Sequence, residues 1–239
     1  MRGLYSFWSL NFNFSDFLKT FLTLDLFGLG VAVFMGGLIL AFGGAEGILF
    51  LLIILLFLVV SAVVTRFKKG RKIAMKTYER ARGWKNVVAN GTVPLIASFA
   101  YFLNTQYSYT RPEILVVAYV ASVASITADK FSSEIGILDN RVLNILTLKR
   151  IRPGKSGGVS ALGMAAGAAG AFIISLGVLS FGNSGVLMAV IVVSGLVGDL
   201  ADSVLGYFEE KGIGNKYTSN FVCAVVGMAV GTACVMFLL

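Results

Sequence analysis

Six stretches of the chain lack charged side chains and are long enough to suggest membrane-spanning helices. They are residues 26–45, 47–65, 86–110, 114–128, 156–198 and 217–239. A helix needs about 20 mainly apolar residues to cross the hydrocarbon core of a bilayer, so the fifth stretch holds two helices. The pattern predicts an all-α, polytopic transmembrane helix bundle of about seven spans. The number is six if the first span does not cross and residues 11–27 lie in the membrane interface as an amphipathic segment.

The composition supports the membrane assignment. Hydrophobic residues make up 57% of the 239-residue chain and charged residues 13%, against about 25% charged residues in soluble domains. No polar segment is long enough for a second domain, so we expect one membrane domain, residues 1–239, with membrane lipid around it. The N-terminal residues lack the order of segments typical of a signal peptide, so we expect no removed leader.

The distribution of lysine and arginine predicts the orientation. Nine cations follow the second span within residues 66–85, and five follow the fourth span within residues 141–155. Lys211 and Lys216 follow the sixth span, whereas the alternate loops carry only Arg111. Positive loops stay in the cytosol. We therefore expect an integral protein of a prokaryotic plasma membrane with a cytosolic N-terminus, and we ascribe the net charge of +8 to topology and not to a nucleic-acid partner.

The reactive groups available to this chain are limited. Histidine is absent, which removes the commonest general base, and the two cysteines, Cys223 and Cys234, both lie in the last apolar stretch. Carboxylates, amides, hydroxyls and cations remain, and this set suits phosphate and magnesium chemistry.

Four carboxylates fall inside or at the ends of predicted spans: Asp129, Glu134, Asp199 and Asp202. Ionisable groups are expensive in a membrane and indicate functional sites. Asp199 and Asp202 are three residues apart and share a helix face, and the four together would repel one another without a cation between them. We expect them to bind Mg²⁺. Ion pairs with Lys130 or loop arginines, and ion transport, are the alternatives.

A polar stripe enters the third span. Arg82, Asn86 and Asn90 are spaced by four residues and follow Arg80, so they are expected on one helix face. An amide as deep as that of Asn90 needs a partner, either on a neighbouring helix or on a ligand. We expect these residues to bind a phosphate or a ribose.

Two glycine-containing segments precede later spans. The first is predicted to cradle an anion with a cation and exposed backbone amides, through Lys155, Ser156, Gly157, Gly158 and Ser160. It is not a Walker A loop, because Lys149 stands where the first glycine belongs. In the second segment, Asn215 and Asn220 either contact the nucleotide or cap the last helix. Ser133 and Ser203, beside the carboxylates, complete the expected binding residues.

Two GxxxG pairs, Gly163 with Gly167 and Gly227 with Gly231, predict close helix packing. The same motifs serve contacts within one chain and contacts in a homodimer, and both uses stay open from the sequence.

Four motifs in this order resemble one known family. They are Arg-x-x-x-Asn-x-x-x-Asn from Arg82, Ala-Asp-x-x-x-Ser-Glu-Ile-Gly from Ala128, Pro-Gly-x-Ser-Gly-Gly-Val-Ser from Pro153 and Gly-Asp-x-x-Asp-Ser-x-x-Gly from Gly198. The chain resembles the integral-membrane phytyl-phosphate kinases and, more distantly, phytol and dolichol kinases and CDP-diacylglycerol synthases. The resemblance covers a catalytic core of residues 77–239 and leaves out the N-terminal spans, residues 1–65. Lys130 stands where the family more often has a small hydroxyl residue.

The resemblance implies transfer of a phosphoryl group from a nucleotide, CTP being the expected donor, to a prenyl monophosphate, with Mg²⁺ as the cofactor. We expect Asp199, Asp202 and Glu134 to hold the metal, and Asp129 to join them or to orient the acceptor. Arg82 and Lys155 would neutralise the phosphates. The prenyl tail is expected against the small residues of spans five and six. A prenol kinase, a lipid cytidylyltransferase, a cation or lipid transporter and a scaffold without catalysis are the alternatives.

Overall fold

The computed structural model describes residues 23–78, 82–179 and 184–238. We number its α-helices in chain order: α1 (Leu26–Phe42), α2 (Gly47–Arg66), α3 (Lys69–Ala74), α4 (Trp84–Tyr107), α5 (Pro112–Gly136), α6 (Ala161–Ser175), α7 (Ser184–Glu209) and α8 (Lys216–Leu238). Two short 3-10 turns, Gly44–Glu46 and Leu176–Val178, follow α1 and α6. Strands β1 (Leu143–Asn144) and β2 (Gly158–Val159) pair antiparallel in the loop between α5 and α6.

The predicted all-α membrane bundle is confirmed. Among the described residues, six helices are long and apolar enough to cross a membrane: Gly44–Arg66, Trp84–Tyr107, Pro112–Gly136, Ala161–Val178, Ser184–Glu209 and Lys216–Leu238. Helix α1 has 17 residues. At 1.5 Å per residue it is about 26 Å long, slightly shorter than the hydrocarbon core of about 30 Å. The residues expected to lead into it lie mostly outside the described part of the chain.

Helix α5 is the centre of the bundle and packs against α2, α4, α6, α7 and α8. Of its most apolar 18-residue window, 83% is buried inside the protein. Its inward positions are mostly Val, Ala and Ser, whose small side chains allow neighbouring helices to approach from several sides. Tyr119 is buried among them, where its ring stacks on Phe50 of α2 at 4.1 Å and its hydroxyl donates to the Phe50 carbonyl.

The glycine pairs of α6 and α8 make close contacts with α5. A Cβ atom built on Gly227 would lie 1.6 Å from Ser125 Oγ, and one built on Gly231 would lie 2.7 Å from Ala121 Cβ. On α6, a Cβ at Gly163 would lie 3.2 Å from the Gly136 Cα. Both GxxxG pairs therefore serve packing within this chain. They give no support to the homodimer, which stays a prediction.

One predicted helix start is wrong and another agrees with the sequence. Arg82 was expected to share a helix face with Asn86 and Asn90, but helix α4 begins at Trp84, and Arg82 precedes it and forms a β-bridge with Leu24. Helix α6 begins at Ala161, directly after the glycine-containing segment expected to precede it, and the Ser160 hydroxyl accepts a hydrogen bond from the Gly163 amide. The absence of charge marks the apolar stretch, whereas capping groups and glycine turns determine where the helix starts.

Candidate functional site

A polar cavity of about 500 Å³ lies at the ends of α4 to α8 that face the loops after α2, α5 and α7. Fifteen of the residues expected to form the site line it: Arg82, Asn86, Asn90, Asp129, Ser133, Glu134, Lys155, Ser156, Gly157, Gly158, Ser160, Asp199, Asp202, Ser203 and Asn220. Residues spread over 139 positions of the sequence, from 82 to 220, thus contribute to one cavity.

Three aspartates form one wall. Asp199 is buried and its Oδ1 accepts a 2.7 Å hydrogen bond from Ser132 Oγ on α5. The carboxyl groups of Asp129 and Asp202 lie at hydrogen-bonding distance from each other. The Oδ1 atom of Asp202 is buried and accepts no hydrogen bond from any described residue. Two carboxyl groups this close need a bridging proton or cation.

The aspartates lie well inside the helices. Asp129 is seven residues before the end of α5, which corresponds to about 10 Å at 1.5 Å per residue. Asp199 is ten residues before the end of α7, or about 15 Å. The cavity therefore extends from the helix ends two to three turns into the bundle.

Close helix contacts bring this wall together. A Cβ atom on Gly167 of α6 would lie 3.1 Å from Asp199 Oδ2 and 3.2 Å from the Ala128 carbonyl. Glycine at this position lets α6 pack against both α5 and α7 beside the carboxylates. The GxxxG motif of α6 thus contributes to the geometry of the site as well as to packing.

Glu134 has a different environment from the aspartates. Its Oε2 forms a 2.6 Å ion pair with Lys72, and its Oε1 pairs with Lys130 and lies 3.7 Å from Arg82 Nη2. Thr65 Oγ1 donates to Oε1 at 3.0 Å. Three cations therefore surround one carboxylate, and this cation cluster of Lys72, Lys130, Arg82 and Glu134 has a positive formal charge.

Lys72 is the best-buried member of the cation cluster, with 1% of its surface exposed. Its ammonium group also donates to the carbonyl oxygens of Val64 and Thr65, at 2.9 and 3.1 Å. These carbonyls belong to the last turn of α2, where the helix dipole is negative and carbonyls lose their i+4 amide partners; the Val64 carbonyl also accepts from the Phe67 amide at 3.2 Å. The short helix α3 folds back beneath α2 and thereby delivers a cation to the cavity.

An amide chain continues the polar wall toward α8. Asn90 Nδ2 donates to the backbone and side-chain oxygens of Asn86 at 2.9 and 2.8 Å, and Asn220 Nδ2 donates to Asn90 Oδ1 at 3.2 Å. The partner that Asn90 was expected to need is thus a neighbouring helix. Arg82, although outside α4, turns its guanidinium into the cavity and donates to Thr65 Oγ1 at 3.2 Å.

The glycine-containing segment before α6 lies against the end of α7. Gly157 has a φ of +76°, and a Cβ atom there would lie 2.8 Å from the Tyr207 amide nitrogen. Both its backbone conformation and the close contact require glycine. The Ser156 amide donates to Glu210 Oε1 at 3.2 Å, and Lys155 Nζ lies 3.5 Å from Glu210 Oε2. Glu210 therefore occupies the position at which an anion was expected.

One expected binding residue of the described chain, Asn215, lies outside the cavity. Asn215 caps α8, since its Oδ1 accepts from the amides of Tyr217 and Thr218 at 2.9 and 3.2 Å, and it does not line the cavity. Asn220, which was expected either to contact the nucleotide or to cap the last helix, lies inside α8, lines the cavity and donates to Asn90. Arg80 lies outside the described residues.

Several cavity residues were missed by the sequence interpretation: Lys72, Lys76, Ser132, Glu209, Lys216 and Ser219. Lys72 and Lys76 belong to the basic loop after α2, which the sequence indicates only as a topology signal. Lys216 acts electrostatically on Asp129 from the start of α8. Ser132 precedes the expected Ser133 by one residue, and the helix register decides that it is Ser132 that reaches Asp199.

Within the ranges that the structure describes, no three Asp, Glu or Cys side chains are grouped closely enough to hold a metal ion by themselves. The four carboxylates predicted to act together are divided between the aspartate wall and the cation cluster. Glu134 as a metal ligand is disfavoured, because both of its oxygens already pair with lysines.

The chain is similar to a family of integral membrane proteins and to an archaeal relative. A family model described as integral membrane protein DUF92 matches residues 14–233. An uncharacterized membrane protein of Methanocaldococcus jannaschii is 34% identical over 200 residues, which cover 82% of this chain and 79% of the relative. No solved structure matches the chain.

Proposed function

Since the chain belongs to the DUF92 family of integral membrane proteins, we propose a function from its own cavity: the protein is a prenyl-phosphate kinase. It transfers the terminal phosphoryl group of a nucleotide, CTP by preference, to a prenyl monophosphate such as phytyl or geranylgeranyl phosphate. The reaction takes place at the cytosolic face of a prokaryotic plasma membrane, which agrees with the three basic loops and the archaeal relative.

One observation carries the proposal: a single cavity is lined both by carboxylates and by cations. The three aspartates line it, and so do the cation cluster, Lys76 and Lys216. Phosphoryl transfer needs cations to neutralise phosphate oxygens, and carboxylates to hold the divalent ion that accompanies a nucleotide. A kinase for a water-soluble acceptor would gain nothing from a site two turns inside a membrane bundle. A kinase for a lipid phosphate needs its site there, because the acceptor's hydrocarbon tail stays in the bilayer.

The proposed step needs no general base. A phosphate oxygen of the prenyl monophosphate attacks the γ-phosphorus, the bond between that phosphorus and the β,γ-bridging oxygen breaks, and the nucleoside diphosphate leaves. The products are a prenyl diphosphate and CDP. Because the acceptor phosphate is already anionic at neutral pH, the absence of histidine does not hinder the reaction.

The aspartate wall fits a magnesium ion shared with substrate. Asp129 and Asp202 approach each other closely, and the buried Asp202 Oδ1 lacks a partner among the described residues. Mg²⁺ in phosphoryl-transfer sites is commonly held by one or two carboxylates together with substrate phosphates and water. We therefore propose Asp129 and Asp202 as ligands and Asp199, held by Ser132, as their neighbour. When bound, Mg²⁺ neutralises charge on the transferring phosphate.

We propose that the cation cluster binds the phosphate of the acceptor. Arg82, Lys130 and Lys72 all line the cavity, and Lys72 also holds Glu134 in place through its ion pair. Lys155 and the Ser156 amide now pair with Glu210, and they bind the nucleotide phosphates when the Glu210 carboxylate moves away. Asn86, Asn90 and Asn220 supply hydrogen bonds to a phosphate or to the ribose.

The experiment is phosphoryl transfer by detergent-purified protein with Mg²⁺ and γ-labelled CTP or ATP. The acceptors are geranylgeranyl and phytyl monophosphates beside the corresponding free alcohols. The proposal expects labelled diphosphates from the monophosphates alone. Label on the alcohols would replace it with a prenol kinase, and CMP transfer from α-labelled CTP would replace it with a cytidylyltransferase. No transfer, combined with Asp202-dependent ion flux in vesicles, would favour a transporter.

A further inference from the structure

A second cavity, of about 460 Å³, lies between α1, α2 and α4, and its walls are almost entirely apolar. On α1 its lining runs from residue 29 to residue 40, which is about 16 Å of helix. Val33, Leu40 and Val59 on its rim are exposed, so the cavity opens laterally toward the surrounding lipid.

The apolar cavity adjoins the polar one. Phe57, Arg82, Asn86 and Asn90 line both. At this junction an anionic group on the Arg82 side and a hydrocarbon chain on the Phe57 side would each meet matching surface. The boundary between the two cavities thus has the polarity of an amphiphile with one charged end.

Ser61 supplies an independent sign of a ligand. It lines the apolar cavity, is 2% exposed, and its hydroxyl has no hydrogen-bond partner among the described residues. It lies one helical turn before Thr65, which bonds both Arg82 and Glu134. A buried hydroxyl is expensive to leave unpaired, and a polar atom near the head of a bound amphiphile would satisfy it.

We propose that the cavity between α1, α2 and α4 binds the hydrocarbon tail of the phosphorylated acceptor, and that the N-terminal helices thereby select its chain length. This inference rests on the proposed function for its head group. It replaces the expectation that the tail lies against the small residues of α6 and α7, because Gly163, Gly167 and Gly195 are occupied by contacts among α5, α6 and α7. It also gives α1 and α2, which lie outside the four motifs, a role in substrate recognition.

Lateral opening has a functional consequence. A prenyl phosphate dissolved in the bilayer would slide its tail between α1 and α2 while its head moves toward Arg82, without leaving the membrane. Discrimination among acceptors would then come from apolar contacts, which distinguish chains that differ by several methylene groups.

The test fills the cavity without disturbing the fold. Gly37 of α1 lines the cavity, and a Cβ atom there would meet nothing within 4 Å, so Gly37→Leu adds bulk in open space. Gly30→Leu is the matched control, since Gly30 lies on the same helix, also meets nothing within 4 Å and does not line the cavity. Both purified variants should elute and melt like the wild type.

The first readout is binding, which does not depend on catalysis. A geranylgeranyl monophosphate carrying a diazirine near its tail end is photolysed with the protein, and labelled peptides are mapped by mass spectrometry. We expect labelling of α1 and α2 that excess geranylgeranyl monophosphate removes and dioleoyl phosphatidylcholine does not. Gly37→Leu should lose most of the label and Gly30→Leu should retain it.

The second readout is kinetic. For Gly37→Leu we expect the KM for geranylgeranyl monophosphate to rise about tenfold, which corresponds to the loss of about two methylene contacts. The rise should be smaller for geranyl monophosphate, and the KM for CTP should not change. Tail-site labelling without phosphoryl transfer would overturn the proposed function and leave the tail site standing. Labelling outside α1 and α2, equal labelling of both variants, or equal competition by phosphatidylcholine would overturn the tail site.

Discussion

Removing the buried ammonium group of Lys72 should destabilise the protein more than any other single charge removal on the basic loop. In Lys72→Ala, the Val64 and Thr65 carbonyls lose their shared donor and Glu134 loses its 2.6 Å partner. Losing one partner of a buried ion pair costs about 3–5 kcal/mol. Because Glu134 keeps Lys130, we expect the lower end of that range, about 3 kcal/mol.

The assay is thermal unfolding in detergent. At about 2–4 °C per kcal/mol for a chain of this size, Lys72→Ala should lower the Tm by about 6–12 °C. Lys72→Met removes the charge but keeps an unbranched apolar side chain of similar size. If the charge matters more than the volume, its Tm should fall nearly as far as that of Lys72→Ala. Lys69→Ala, on the exposed side of α3, is the control and should change stability by less than about 0.5 kcal/mol.

A double-mutant cycle identifies the partner. Glu134→Gln removes the carboxylate charge, so adding it to Lys72→Met should cost less than the two separate losses together, with a coupling of about 1–3 kcal/mol. Equal melting of Lys72→Ala and Lys69→Ala, or a coupling near zero, would refute the assignment of Lys72 as the cation that closes α2 and holds Glu134.

Three further predictions follow from other contacts. Gly227→Val should prevent α8 from packing on α5, because its Cβ atom would overlap Ser125 Oγ. Size-exclusion chromatography should therefore recover little folded protein, and a normal yield would refute the contact. Asn220→Leu should cost about 0.6–2 kcal/mol through loss of the bond to Asn90, measured by thermal unfolding, and an unchanged Tm would show that the interhelical amide bond is absent. Glu210→Gln should strengthen CTP binding, measured by calorimetry, because it frees Lys155 and the Ser156 amide. The exposed ion pair contributes little to stability, so the Tm should hardly change. Weaker CTP binding would show that Glu210 does not compete with phosphate.

The sequence predicts the spans and the clustering of the motifs for one physical reason. Charged side chains are costly in the bilayer core, so the motif residues gather toward the helix ends that carry the basic loops, in a cavity that reaches two to three turns into the bundle. Asp199 and Asp202 were expected on one face of one helix, and α7 places both on the cavity wall. Asn90 needed a polar partner in an apolar setting, and the fold supplies Asn220.

The sequence could not predict the pairing among charges. Glu134 and Asp129 are five residues apart on α5 and point to different partners, and the turn at Lys68, with φ +48°, brings Lys72 back under α2. Lys72 is one of nine cations in its loop, and no local pattern separates it from its exposed neighbours. Glu210 is likewise an ordinary acidic residue after a long helix until the loop at Gly157 folds against α7.

The most direct test of the central claim compares transfer of label from γ-labelled CTP to geranylgeranyl monophosphate by the wild type, Asp202→Asn and Asp139→Asn. Asp139 lies in the loop after α5, where its Oδ1 accepts a hydrogen bond from the Arg141 amide, and it does not line the cavity. Its variant therefore controls for the loss of a carboxylate outside the site. We expect transfer by the wild type and Asp139→Asn, and none by an Asp202→Asn protein that still elutes as a folded particle. Transfer by Asp202→Asn at the wild-type rate would show that phosphoryl transfer does not use the aspartate wall.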